Sequence, residues 1–281
     1  MTTVDRSTPT HLAGQPGLKS KAIYEPLPSS GDFRLLTLLP RRCNEQIRCT
    51  LFIASLACKP TYEALSYVWG SATTSQSILC NGTELQISQN LHTALCQLCY
   101  PNLSRTIWAD GICINQKDLS ERNTQVQLMG DIYSLAASVI VSLGEPSPDI
   151  DLAVKLAHTL AEAYAARSEA HAANKWRFEE YHTTDLLLNN VPDSNQTVRR
   201  SAETTIDIIG SPGWPALRDL FQRPWFTRAW VLQEVVLSKE CYLICRTKAI
   251  SWDVLTSACS YIRESEVAFQ WSKKMLEEQI T

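Results

Sequence analysis

The chain has no excess of positive charge, no long apolar run and no glycine-rich phosphate loop, and each absence removes a class of function. Its 26 Lys and Arg are outnumbered by 29 Asp and Glu, giving a formal net charge of −3. Non-specific nucleic-acid binding therefore has no electrostatic footing. The most apolar runs, such as Val139-Ile140-Val141, are far too short to span a bilayer. Met1 to Gly17 is polar and lacks the apolar core of a signal peptide. Neither GxGxxG nor a Walker, GxSxG, HExxH or kinase motif occurs. His11, His92, His158, His171 and His182 form no ligand cluster. The ten cysteines, without a secretory leader, read as reduced thiols in a cytoplasmic setting. Cys96-Gln97-Leu98-Cys99 lies towards a helix end, and Cys241 and Cys245 sit in a β-prone stretch. Neither pair has the paired spacing of a zinc site, so no metal is expected.

What is present is ordinary for a packed domain: 44% hydrophobic and 20% charged residues. Residues 1–22 mix Thr, Pro, Gly, Ser and Lys and are expected to form a flexible tail. A β-rich extension is expected over 23–61, with strands at Phe33–Leu38 and Ile47–Leu56, followed by a third at Ala64–Trp69. Asn81-Gly82 between two β-prone runs predicts a tight hairpin, because both residues tolerate positive φ. Ser88 is the expected N-cap of a helix whose apolar face is Leu91, Ala94, Leu95 and Leu98. Thr106–Ala109, a helix opened by an Asp118/Glu121 capping box, and Ser138–Leu143 read as a βαβ unit with a parallel pair. That helix is expected to bury Val126, Met129, Tyr133, Ala136 and Ala137. Asp151–Ala166 is another helix, and about 167–212 is expected to be a helical insertion. Pro224 opens a helix expected to run to about Leu237 and to be buried almost all round. Residues 237–281 are expected to form a C-terminal strand and helix extension.

Three segments could carry chemistry. Tyr62–Gly70 places Tyr67 and Trp69 on one strand face, with Trp69 at the strand mouth. Trp108–Gln116 puts Asp110 at the carboxyl end of a parallel strand, where open α/β sheets hold ligands. Its plainer reading is a cap on the loop and next helix. Arg223–Val236 sets Glu234 four residues after Trp230, in apolar surroundings where a carboxylate needs a partner or its pKa rises. A structural salt bridge to Arg122 or Arg223 is the plainer reading there.

Taken together, these segments resemble the heterokaryon incompatibility (HET) domain of filamentous fungi. The likeness is carried by Tyr62–Gly70, Trp108–Gln116, Asp118, Glu121, Arg122, Gln125-Val126, Met129, Ile132-Tyr133, Leu143-Gly144 and Arg223–Glu234, in that order. It covers about Tyr62 to Val236, and Gly111 stands where the family usually has Ala. The resemblance implies self/non-self recognition that triggers programmed cell death. More distantly, Trp230-Val231-Leu232-Gln233-Glu234 is similar to the catalytic helix of Toll/interleukin-1 receptor (TIR) domains, some of which cleave NAD. It thus implies an α/β fold with a mainly parallel sheet, a TIR-like core, extra N-terminal strands and a helical insertion. On that analogy Glu234 is a candidate catalytic residue; Asp110, at its strand end, is a second candidate able to bond a ribose hydroxyl, and Trp69, Trp108 and Trp230 offer flat faces to a ligand. No cofactor is implied, and NAD enters as a substrate. A protein partner or self-association is expected, with no nucleic acid and no membrane. Whether the domain is an enzyme or an interaction module stays open at this level.

Overall fold

The computed structural model describes residues 22–42, 44–70, 75–145, 147–167, 211–245 and 248–265. The expected tail and the expected insertion, apart from their border residues, lie outside that set. The described strands are β1 (Asp32–Leu38), β2 (Arg48–Ser55), β3 (Glu63–Ser66), β4 (Ser75–Cys80), β5 (Thr83–Ser88), β6 (Arg105–Trp108), β7 (Ser138–Ser142), β8 (Cys241–Cys245) and β9 (Lys248–Ser251). The α-helices are α1 (Gln89–Leu98), α2 (Asp110–Cys113), α3 (Leu119–Leu135), α4 (Ile150–Arg167), α5 (Gly213–Phe221), α6 (Val231–Val236) and α7 (Trp252–Glu264).

All nine strands join one sheet in the order β5-β4-β2-β1-β6-β3-β7-β8-β9. The central strands β6, β3, β7 and β8 run parallel. The sheet as a whole is mixed, which corrects the expectation of a mainly parallel one. β1 enters antiparallel against both β2 and β6, and β4–β5 and β8–β9 are antiparallel as well. Short connections permit only antiparallel neighbours, so each hairpin adds a reversed strand. The βαβ unit is also modified. β6 and β7 point the same way but do not pair, because β3 lies between them and pairs with both. β7 is buried along its whole length, as expected for a strand covered on both faces.

Local chemistry sets several of these elements. Asn81 (φ 50°) and Gly82 (φ 78°) supply the two positive φ angles of the β4–β5 turn. The Ser88 hydroxyl accepts from the Leu91 N–H, and α1 buries Leu91, Ala94, Leu95 and Leu98 as predicted. Asp118 accepts from the N–H groups of Ser120 and Glu121, each at 3.0 Å. Glu121 does not reach back to complete the box. It accepts instead from the Asn115 N–H and from Arg34. α3 buries Gln125, Ile132 and Tyr133, whereas Val126 is exposed. Its inner face thus includes a polar residue, which apolar periodicity does not reveal.

The stretch from Pro224 is not one helix. A single 3-10 turn covers Pro224–Thr227, Arg228 is extended (φ −79°, ψ 136°), and α6 starts at Val231. The break lets Trp225 enter the core while Leu232 and Val236, expected on the same buried stripe, face out.

Candidate functional site

The site forms where the carboxyl ends of β3 and β6 meet the Arg228–Glu234 segment. β3 delivers Ser66, then Tyr67 and Trp69 just beyond it. β6 delivers Asp110 one residue past Ala109, as the first residue of α2. The three distant tryptophan-bearing segments are therefore brought together.

Glu234 is 1% exposed. One carboxylate oxygen accepts a short hydrogen bond from the Ser66 hydroxyl. The other lies 3.4 Å from an Arg228 Nη2. The Ser66 oxygen in turn accepts from the Trp225 indole N–H at 2.7 Å. Burial pushes the Glu234 carboxyl above its ordinary value. The Ser66 bond and the Arg228 charge offset this only in part, and the neighbouring Asp110 charge adds to the rise. The partner expected for Glu234 is thereby corrected. Arg223 instead donates to the carbonyls of Leu143 and Glu145 at 2.7 and 2.6 Å, and Arg122 is exposed.

Asp110 is held by three donors: the Trp69 indole N–H at 2.7 Å, the Gly111 N–H at 2.7 Å and the Tyr67 hydroxyl. Burial still raises its carboxyl above the ordinary value, against the pull of those bonds and of Arg228. Tyr67 and Tyr133 are pushed well up by burial and by the adjoining acids. Arg228 is thus the cation shared by two carboxylates and two phenols. Its Nη1 is buried and lacks a partner among the described residues. Gly111 leaves room for the Tyr67 hydroxyl, which a Cβ there would approach to 2.5 Å.

The tryptophans divide. Trp69 is 46% exposed beside Asp110, and Trp230 is 51% exposed at the N-cap of α6. Trp108 is fully buried and packs edge-on to Tyr133 at 5.4 Å, so its ring belongs to the core and offers no face to a ligand. Sequence reasoning missed Ser66 and Trp225 as anchors of Glu234. A serine in an apolar strand and a tryptophan in an apolar stripe carry no sign of such a bond. Arg228 was legible only as part of a motif. The described cysteines are all free. Among the described residues no cluster of three or more His, Cys, Asp or Glu side chains could hold a metal. Nor is any described helix long and apolar enough to cross a membrane.

Comparison with known proteins identifies the family. The family described as Heterokaryon incompatibility protein (HET) matches residues 62–234, which span the site from Ser66 to Glu234. A similar protein is Heterokaryon incompatibility protein 6, OR allele, of Neurospora crassa. It is 29% identical over 261 residues, covering 87% of this chain and 37% of its own length. The chain thus spans little more than a third of that curated relative. No solved structure matches. The chain belongs to the HET family.

Proposed function

We propose that this chain, as a member of the HET family, serves in fungal self/non-self recognition and triggers cell death by engaging a protein partner or a second copy of itself. The observation that supports contact over chemistry is the two-sided build of the Trp230–Leu237 segment. Its carboxylate turns inward and is bonded on both oxygens. Its large apolar side chains turn outward: Leu232 is 72% exposed and Val236 74%, beside Trp230 and Leu237. Exposed apolar clusters of this kind mark association surfaces. Expression of the chain in a fungal host, with cell survival as the readout, tests this. Leu232→Asp combined with Val236→Asp is expected to fold normally and to lose killing, and undiminished killing by that variant contradicts the proposal.

A second reading, cleavage of NAD on a TIR-like core, has its own support. Two carboxylates of raised pKa, Glu234 bonded to Ser66 of β3 and Asp110 bonded to the half-exposed Trp69, lie near the carboxyl ends of parallel strands, and perturbed groups in that position are site candidates. Breakage of the nicotinamide–ribose bond develops positive charge that Glu234 would stabilise. Incubating the purified chain with NAD tests it. Absence of product, or equal turnover by wild type and Glu234→Ala, contradicts it.

A further inference from the structure

Residues 62–234 carry the family match, yet two polar side chains of α3, Glu121 and Gln125, find partners outside that span. Glu121 on α3 meets the Arg34 guanidinium of β1 through two parallel bonds, Nη1–Oε1 at 2.6 Å and Nη2–Oε2 at 2.9 Å. Gln125, one turn further along α3, donates to the Asp32 carbonyl at 2.8 Å. Arg34 is 2% exposed. It also donates to the Glu25 carbonyl at 2.5 Å and to the Cys113 carbonyl at 3.3 Å. The Tyr24 ring lies 5.2 Å from its guanidinium carbon, and the Tyr24 hydroxyl donates to the Ile112 carbonyl at 3.1 Å. Glu121 closes the circle by accepting from the Asn115 N–H at 2.7 Å.

Ile112, Cys113 and Asn115 belong to α2 and the loop after it, and α2 begins with Asp110. A four-residue helix cannot hold its own geometry, since nucleation alone outweighs so few hydrogen bonds. It must be held by its surroundings, and two of its last carbonyls are held by Tyr24 and Arg34. The likeness to the Neurospora crassa relative covers 87% of the chain, more than residues 62–281 contain, so it too reaches into the N-terminal strands.

We infer that Arg34 is a positioning residue for Asp110: with Tyr24 and Glu121 it clamps the far end of α2, so that the near end presents Asp110 to Trp69 and Tyr67. The N-terminal strands are then a working part of the site and not an appendage to it. This rests on the second reading above, in which the Asp110–Glu234 cluster carries the chemistry. Its test reads geometry alone, so either can fail without the other.

The reporter is the indole N–H resonance of Trp69 in the full chain, one of eight tryptophans, assigned by its disappearance in Trp69→Phe. Asp110→Asn gives the position of that signal with the charged acceptor removed. Arg34→Lys keeps the charge but loses the planar fork. It is expected to move the Trp69 signal most of the way to its Asp110→Asn position. Arg105→Lys is the control, because Arg105 makes a comparable pair with Glu63 at the opposite ends of β6 and β3. That variant is expected to leave the Trp69 signal in place. An unmoved signal in folded Arg34→Lys, or an equal movement in Arg105→Lys, overturns the inference. Should Arg34→Lys fail to fold, Tyr24→Phe decides on the same criterion, because it removes only the hydroxyl donated to Ile112.

Discussion

Arg34–Glu121 and Arg228–Glu234 are pairs of the same residue types that reach opposite outcomes. Around Glu121, burial opposes ionisation, but the forked contact from Arg34 and the Asn115 N–H outweigh it and hold the carboxyl below its ordinary value. Around Glu234, burial wins over a longer contact from Arg228 and a bond from a neutral hydroxyl, and the carboxyl is pushed up. Geometry decides the difference. A guanidinium that meets both oxygens in parallel recovers most of the desolvation cost, whereas one shared among several groups does not. The first pair is a brace. The second is a candidate site with charge left incompletely balanced, a condition that functional groups often share with structural pairs.

The contrast can be broken by removing each arginine. Arg34→Leu strands a nearly buried, ionised Glu121 and is expected to cost about 3–5 kcal/mol, measured by denaturant unfolding. Arg228→Leu is expected to cost less, about 1–2 kcal/mol, because Glu234 and Asp110 can take up protons in place of the lost charge. Equal losses from the two variants would erase the distinction.

The pairs also predict opposite pH dependence. Glu234 and Asp110 have folded values raised above the unfolded ones. Their contribution is complete below the ordinary carboxylate values of 4.5 and 3.8 and is lost as pH rises through the folded values. Glu121 has a lowered folded value. Its contribution is present above 4.5 and is lost as pH falls through the folded value. Relative to wild type, Glu234→Gln should therefore gain stability as pH rises above the carboxylate range. Glu121→Gln should be destabilised at neutral pH, and its deficit should shrink in acid. Parallel curves for the two variants would refute the contrast.

Smaller effects sharpen it. Gly111→Ala places a methyl 2.5 Å from the Tyr67 hydroxyl and should cost about 1–2 kcal/mol, with a displaced Trp69 signal as its companion. Leu232→Asp, on the exposed face of α6, should change stability by less than about 0.5 kcal/mol.

Much of the fold was legible in local chemistry. The Asn81-Gly82 turn, the Ser88 cap, the α1 face and the strand that leads to Asp110 follow from rules that act within a few residues. The misreadings came where distant partners decide. Periodicity drew one helix through Pro224–Leu237, because nothing local announces that Arg228 must leave the helix to reach Glu234. It placed Val126 inside α3 because a buried glutamine, bonded to the Asp32 carbonyl, looks like a surface residue in sequence. β3 between β6 and β7 was hidden because a crossover records direction but not the strand it skips. The site was half visible. Asp110 and Glu234 stood out as acids in apolar settings, whereas Ser66, Trp225 and the Arg34 brace are defined by contacts across 79 to 168 residues of chain.

The most direct test of contact as the mode of action is cell survival on expression of three chains side by side: wild type, Leu232→Asp/Val236→Asp, and Glu234→Gln. The account predicts that wild type and Glu234→Gln kill alike and that the surface variant, folded as stably as wild type, does not. Loss of killing in Glu234→Gln together with full killing by the surface variant would contradict it and return the carboxylate to the centre of the mechanism.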